Sequence, residues 1–497
     1  MATTTSIVYR LNGPELIGNR ISVEVVVIGS GPGGAVTAAL CAEANKSVLL
    51  IEEGENLPLD SAPHFSREEI LSKYRNAGIN IAFGRTKIAY VEGRCVGGGS
   101  EINRGLYHRI PASVLETWRA EFAVRDLTMG ALTPHFEACE KTARVQFLPG
   151  KAPLISTRLH MGATHLGWDS MEVPRLYAYG EGQKAGAPGR KQSMSETFIP
   201  RFLAAGGRLI ADTRAARLTR SAGKWRVIAQ HSPPGGARSD VEISADHVFV
   251  ACGAVQTPAL LRRSGITTNI GNSLRFHPML KVVAAFDEDL NIPGELEPVH
   301  QIKEFDPRFS MGCSMSKRPA LALAMAAHPK WIEEVDRNWR RMAIYYVQNT
   351  GGVGMVRNLP GFRDPFVRVT QSAADLNELA EGLRRLAQVL FAAGAVTVYP
   401  SIPGYPVLRS DAEIAHLPET LSPALANPTA LHLFSSCPMG ENTMRCATDS
   451  YGKVHGADHL LIADSSLLCG PTVVNPQGTV MAIAHRNAQR VIENRFR

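Results

Sequence analysis

The sequence predicts a mixed α/β fold: a Rossmann-like dinucleotide-binding domain interleaved with a second domain built on an antiparallel sheet with helices. Three observations carry this. A β-branched run at residues 23–28 leads straight into a cluster of glycines. A second apolar run, 246–254, recurs much later with a helix-like stretch behind it. Other stretches alternate apolar and polar residues and carry Gly-Gly and Pro-Gly turns.

Val23 to Ile28 is broken only by Glu24, as expected of a strand largely buried in a parallel sheet. Ala35 to Ala44 reads as an Ala-rich helix, and Ser47 to Ile51 as a second strand ending in Glu52-Glu53-Gly54. Between strand and helix, Gly29-Ser30-Gly31-Pro32-Gly33-Gly34 has the spacing G-x-G-x-x-G. Gly29 permits the tight turn, Gly31 lets the backbone approach a pyrophosphate, and Gly34 lets helix and strand pack closely. The helix N-terminus offers free N–H groups and a positive dipole end to the phosphates. Glu52 is placed to accept bonds from the adenosine ribose hydroxyls, and an acid there disfavours NADP. The alternative, a glycine-rich turn without ligand, does not account for strand, helix, second strand and acid agreeing.

Arg94-Cys95-Val96-Gly97-Gly98-Gly99-Ser100, leading to Glu101-Ile102-Asn103, is a second glycine cluster. FAD is longer than NAD and needs such a second cradle; a flexible loop is the other reading, and an NAD-dependent reductase the rival function. Residues 206–232 alternate like antiparallel strands. The strand at 246–254 precedes VQTPALLRRSGI, where Pro258 suits the first turn of a helix and Gly265 its end. Residues 341–371 read as a second antiparallel sheet. Leu376, Leu379, Leu383, Leu386, Val389 and Leu390 mark a helix over 373–394, and 478–496 is another. The domain expectation is 20–110, 190–284 and 430–497 for the nucleotide domain, with 111–189 and 285–429 as the substrate-binding cap.

Composition narrows the function classes. With 497 residues, 44% hydrophobic and 20% charged, the chain has a core large enough to exclude wholesale disorder. The net charge of +7 is scattered, without a run of five Lys or Arg, so it argues for attraction of an anionic ligand rather than nucleic acid. Eight cysteines without a C-x-x-C pair indicate neither a zinc ribbon nor a thioredoxin-type site, and no metal site is expected. The N-terminal stretch MATTTSIVYRLNGPELIG lacks the signal-peptide pattern. The apolar stretches near 320–327 and 389–396 are too short for a membrane span. A soluble, cytoplasmic protein is the expectation.

Four blocks spread over nearly the whole chain resemble the glucose–methanol–choline (GMC) oxidoreductases, FAD-dependent alcohol oxidases and dehydrogenases. They are 23–54, GRCVGGGSEIN (93–103), GAVQTPALLRRSGI (253–266), and HLFSSCPMG (432–440) with VHGADHLLIADSSLLCGPTVVNPQGTVMAIAHRNA (454–488). The Asn-Pro pair and the short second block look most like cholesterol oxidases and long-chain fatty alcohol oxidases. The resemblance implies that Gly29, Gly31, Pro32, Gly34, Glu52 and Glu53 hold the ADP half of FAD. It implies that Gly98, Ser100 and Asn103 line the flavin and ribityl side, and that Ala254, Asp464, Asn475, Pro476 and Thr479 approach them from the later blocks. Some members bind flavin covalently through a His one residue before the Asn of the second block; here that residue is Ile102, so non-covalent FAD is expected.

The resemblance also assigns the chemistry. A His at the position of His432 takes the hydroxyl proton while hydride leaves for flavin N5, and Asn475 donates to the substrate oxygen without titrating. The helix beginning near Gln477 points its positive end at the flavin edge where negative charge grows. His277, His455 and His485 read as structural, and Cys437 as a packing residue. Two departures stand out. Ser435-Ser436 replaces the family's Gly-Thr or Gly-Gly, and Glu101 is expected to pair with Arg104 or Arg109 or to touch a polar substrate. The implied partners are a small-molecule alcohol, apolar or anionic, and oxygen or a separate electron acceptor. The alternatives are a light-driven FAD-dependent lyase acting on a carboxylic acid, as in the family's fatty acid decarboxylases, and a flavoprotein scaffold without activity.

Overall fold

In a computed structural model, the described residues are 20–180, 189–292 and 297–494. The N-terminal stretch read above and the last residues of the expected final helix lie outside them. The elements that build the two sheets and the site run in order. β1 (Arg20–Ile28), α1 (Pro32–Glu43) and β2 (Val48–Ile51) form the opening unit. β3 (Asn80–Ala82), β4 (Ile88–Tyr90), the short α2 (Gly99–Ile102) and β5 (Ser170–Glu172) follow. Next come β6 (Arg208–Ile210), β7 (Thr213–Ser221), β8 (Lys224–His231), β9 (Ser239–Val250) and α3 (Gly253–Arg263). β10 (Leu274–Ala285), β11 (His300–Ile302), β12 (Phe309–Cys313), β13 (Met342–Asn349), β14 (Val353–Arg357) and β15 (Phe366–Thr370) lead to α4 (Ala373–Ala392). β16 (Thr397–Pro400), β17 (Thr429–Phe434), β18 (Leu460–Ile462) and α5 (Gln477–Glu493) close the chain.

The first sheet has the order β7-β8-β9-β1-β2-β6, with β18 pairing the far half of β9. β1 runs parallel to both β9 and β2, and Val25, Val26 and Val27 are wholly buried. That explains the missing alternation: a strand covered on both faces has no polar side to show. β7 and β8 pair antiparallel as the alternation predicts, whereas β6 joins β2 in parallel. α1 begins at Pro32, and almost all its residues are buried because small side chains let it lie between the sheet and α5.

α3 begins at Gly253, so Pro258 lies inside the helix rather than in its first turn. A proline there leaves the carbonyl of residue 254 without its i+4 donor. The Ser436 hydroxyl supplies the missing bond, donating to the Ala254 carbonyl at 2.6 Å. The proline is thus tolerated because a second element repairs the helix.

The second sheet is mostly antiparallel, in the order β3-β4-β17-β10-β13-β12-β11-β5, with β14 and β16 also paired to β10. β3, β4, β10 and β17 come from stretches that sequence reasoning gives to the nucleotide domain; the second sheet therefore draws on both sets of segments. α4 opens with a Ser372–Asp375 capping box and buries its leucine stripe against β12 and β13. Pairing of β10 with β17 shifts register between Phe276 and Pro278, a bulge where a residue without an N–H does least harm. No helix among the described residues is long and apolar enough to cross a membrane.

Candidate active site

The two glycine clusters meet. A Cβ added to Gly98 lies 2.9 Å from the Gly31 Cα, so the loops touch backbone to backbone. Gly29 has φ +102°, and a Cβ there strikes the Ala251 carbonyl oxygen at 2.3 Å; one on Gly34 strikes the Gly29 oxygen at 2.0 Å. Gly31 and Gly99 behave differently, because a Cβ on either meets no atom within 4 Å. The first pair of glycines is needed for packing; Gly31 and Gly99 face open space. Gly31 is the N-cap of α1, makes no side-chain cap bond, and is followed by Pro32. The helix thus presents free N–H groups to that space, the arrangement a pyrophosphate requires. The cradle fits a dinucleotide.

Polar side chains stitch the cradle together. Glu52 Oε2 accepts from the Ser30 N–H at 3.0 Å and the Ser30 hydroxyl at 2.7 Å, and Oε1 accepts from the Gly54 N–H at 3.0 Å. The Ser30 hydroxyl in turn accepts from the Gly97 N–H at 3.0 Å. Burial pushes the Glu52 carboxyl up. Glu53 is turned to four arginines, Arg75, Arg94, Arg214 and Arg363. Burial alone would raise its carboxyl; the arginines, Arg75 first, bring it down to about 2.

Asp464 accepts from the Gly253 N–H at 2.9 Å, the Thr257 hydroxyl at 2.5 Å and the Ser466 N–H at 2.8 Å, so it ties the start of α3 to the strand end beside it. Ser100 donates to the Gly97 carbonyl at 2.7 Å and accepts from the Met194 N–H at 2.9 Å. Asn103 donates to Gln477 Oε1 at 2.5 Å, joining the second glycine block to the first turn of α5. In that turn the Thr479 hydroxyl is buried and has no hydrogen-bond partner.

His432 on β17 and Asn475, just before α5, are brought together, with Asn475 Nδ2 3.3 Å from His432 Nε2. The α5 N-cap is Pro476, so the Asn475 side chain is not used to cap the helix. Gln301 on β11 donates to Asn475 Oδ1 at 3.4 Å and to the Tyr346 hydroxyl at 2.9 Å. With its oxygen thus engaged, Asn475 turns its N–H toward His432. His432 Nε2 therefore carries the lone pair, and Nδ1–H donates to His277 Nδ1 at 3.1 Å. Burial, then the Lys303 ammonium, lowers His432 to about 4. Burial likewise lowers His277 well below its usual range and His108 to about 3, again with Lys303 adding to it. Three neutral imidazoles thus share one neighbourhood, His108 and His277 buried and His432 half-buried.

Sequence reasoning missed several of these groups. His277 reads as structural, yet it sits on His432, because the β10 bulge re-aims it. His-Pro at 277–278 is the local signal of that bulge. Gln301, Lys303, Tyr346 and His108 lie in stretches without a motif. His485 bonds His135 at 3.0 Å and His455 bonds the Gly440 carbonyl at 3.2 Å, away from His432. Glu101 does not pair with Arg104 or Arg109. It is buried and accepts from the Ser195 hydroxyl at 2.9 Å, with Lys191 beside it; Arg104 turns to Glu297 and Arg109 to Glu140. Ser435 has φ 67°, the left-handed region that favours the family's glycine, and Ser436 is the helix repair described above.

Residues 26–279 match a GMC oxidoreductase family model, and 359–484 match a second. A GMC-type oxidoreductase of Sinorhizobium fredii, of uncharacterized function, is 36% identical over 491 residues, covering 96% of each chain. The chain belongs to the GMC oxidoreductase family. As a GMC protein it is also similar to a long-chain-alcohol oxidase of Arabidopsis thaliana, 25% identical over 95% of this chain and 67% of that one. Among solved structures, pyridoxine 4-oxidase from Mesorbium loti superposes with a TM-score of 0.72 at 17% identity, over 94% of this chain and 99% of that one. Formate oxidase of Aspergillus oryzae gives 0.73 at 14% identity, over 96% and 99%. These two share the fold. The family, with its FAD-containing solved relatives, supports FAD as the cofactor.

Proposed function

We propose that this GMC oxidoreductase oxidises an alcohol, with His432 as the proton acceptor and Asn475 as the donor to the substrate oxygen. The observation that carries the reading is the 3.3 Å contact in which the Asn475 N–H meets the His432 Nε2 lone pair, a donor and an acceptor side by side. FAD, when bound, supplies the hydride acceptor. Gly31, Pro32 and Glu52 would hold its ADP half in the turn that Gly29 and Gly34 allow to pack, with Gly98, Ser100, Asn103, Ala254, Asp464, Pro476 and Thr479 toward the flavin, and Glu53 behind them as an anchor for arginines. Ile102, in place of a histidine, supports non-covalent attachment. Electrons leave to oxygen or to a separate acceptor. None of the eight cysteines forms a disulfide, and all but Cys252 are buried, which suits a cytoplasmic setting.

The chain's own residues do the following. His432 enters the reaction neutral, as a base must. Its Nδ1–H is held by His277, which keeps the lone pair on Nε2. Asn475 offers an N–H that stays in place because Gln301 holds its oxygen. A hydroxyl that displaces their mutual contact gives its proton to His432 while its oxygen accepts from Asn475. Two sequence relatives carry names of this kind, a long-chain-alcohol oxidase and a 5-(hydroxymethyl)furfural oxidase.

The test is anaerobic mixing of the yellow protein with a panel of alcohols. Bleaching of the flavin absorption is expected, and His432→Ala should slow it by about 10²–10⁴-fold while the colour remains. Light-dependent CO₂ release from a fatty acid without bleaching would replace alcohol oxidation by the lyase reaction. Unchanged turnover in His432→Ala would remove the role given to that residue.

A further inference from the structure

We propose that Lys303 forms an anion-binding subsite of the His432 pocket, so that the alcohol oxidised there carries a carboxylate or a similar anionic group. The inference rests on the alcohol-oxidation reading for its substrate, but the subsite itself is argued from geometry.

β11 ends at Ile302, yet the Lys303 N–H bonds the Asp169 carbonyl at 2.9 Å, so the ladder with β5 runs on by one residue. Lys303 and Gln301 are two residues apart on an extended strand and point to the same face, about 6–7 Å apart. That face is the one from which Gln301 reaches Asn475 and Tyr346. Lys303 therefore stands beside the pair to which the substrate hydroxyl is assigned.

The side chain of Lys303 is only 9% exposed. Its ammonium is paired with the Asp306 carboxylate, Oδ2 lying 3.5 Å away. An ammonium has three N–H donors, so this one carboxylate contact leaves donors to spare, and unmet donors in a buried place are costly. Asp306 and His277 line the same narrow crevice, which places the carboxylate partner of Lys303 on the side of His277. His277 Nε2 is also buried without a hydrogen-bond partner, and His108 has Gln301 beside it.

Such a lining does not suit a plain hydrocarbon chain, which would leave the spare ammonium donors and His277 Nε2 unmet. An oxyanion placed on the Lys303 ammonium gives its donors acceptors and offers further acceptors to the imidazole N–H groups. Burial draws the Lys303 ammonium below its usual range and Asp306 acts against this; a bound anion would add to the second effect. The net charge of +7 attracts the same class of molecule over longer distances.

The test uses the FAD-loaded protein and non-oxidisable probes: acetate, propionate and benzoate, each against its neutral amide, followed by the difference absorption of the flavin. Carboxylates should bind saturably and about tenfold or more tighter than the amides. Lys303→Met should bring carboxylates to the level of amides, and Lys303→Arg should keep the preference. Equal binding of carboxylates and amides to the natural protein, no spectral response to either, or an undiminished preference in Lys303→Met would overturn the proposal. If Lys303→Met does not retain FAD, the comparison on the natural protein and on Lys303→Arg decides. The two readings fail separately. Bleaching by neutral alcohols without carboxylate preference removes the subsite alone. Carboxylate binding without bleaching by any alcohol or hydroxy acid removes the oxidation reading alone.

Discussion

The bond between His432 and His277 makes a prediction about rate rather than about binding. When His432 accepts the substrate proton on Nε2 it becomes an imidazolium, and its Nδ1–H to His277 Nδ1, 3.1 Å away, becomes charge-assisted. A neutral hydrogen bond is worth about 1 kcal/mol net and a charge-assisted one about 1.5–3 kcal/mol, so the transition state gains about 0.5–2 kcal/mol more than the ground state. His277→Phe removes the acceptor while keeping an aromatic ring against Phe434, whose ring centroid is 4.8 Å away. The rate of flavin reduction should fall about 3- to 30-fold, with little change in substrate affinity. His277→Gln can still offer an oxygen to Nδ1–H and should lose less. Anaerobic stopped-flow over a substrate series separates the limiting rate from the dissociation constant. A loss confined to affinity, or equal rates in the Phe variant and the natural protein, would refute the idea that His277 sets the tautomer and supports the charge of His432.

Three further predictions concern the frame of the site. Gly31→Val adds a side chain into open space, so the apo chain should fold with its thermal midpoint unchanged and lose FAD, whereas Gly34→Val, with a Cβ 2.0 Å from the Gly29 oxygen, should fail to fold. Ser436→Ala leaves the buried Ala254 carbonyl without a donor and should cost about 1–3 kcal/mol in unfolding experiments; adding Pro258→Ala restores an i+4 N–H and should recover most of it, so additive losses would refute the repair. The Glu53 carboxyl is depressed to about 2 in the folded chain, so its contribution to stability is present above its unperturbed value of 4.5 and is lost as pH falls through 2; Glu53→Gln should flatten thermal midpoint against pH across that window.

What the sequence reveals and what it hides follow from the range of the interactions. Gly29, Gly31 and Gly34 are legible because a tight turn, a ligand approach and a helix–strand contact each demand a missing Cβ within one short stretch. The leucine stripe of α4 is legible because 3.6-residue periodicity is local. Pro258 is misplaced by the same local logic: a helix with an interior proline is expected to break, and nothing near it announces that a serine far along the chain will supply the lost donor. Glu101 shows the same limit, since Arg104 and Arg109 are its neighbours in sequence but Ser195 and Lys191 are its neighbours in space. His432 and Asn475 are legible only through a family resemblance at the end of the chain. Gln301, Lys303 and His277, which orient and bias them, sit on strands whose pairing no local pattern encodes.

Lys303 ties binding to chemistry in a way that can be measured. A cation beside a base weakens the base, and His432 is held at about 4 by burial first and Lys303 second. That is no defect for proton transfer from an alcohol, because the same positive field stabilises the alkoxide character that develops on the substrate oxygen. The reaction depends on the difference between the two groups, and the cation acts on both. In Lys303→Met only the burial contribution survives, so the pH at which His432 becomes available should rise from about 4 part of the way toward 6.5. A base works unprotonated, so the rising limb of reduction rate against pH should move to higher pH, and at pH 5 the variant should retain a smaller fraction of its own plateau rate than the natural protein. His277 and His108 remain neutral neighbours in both proteins and do not mimic the change, since burial is the largest cause of their lowered values. A limb that stays in place would mean that the Lys303 charge is already cancelled by Asp306, and with it the attraction for a substrate anion would go.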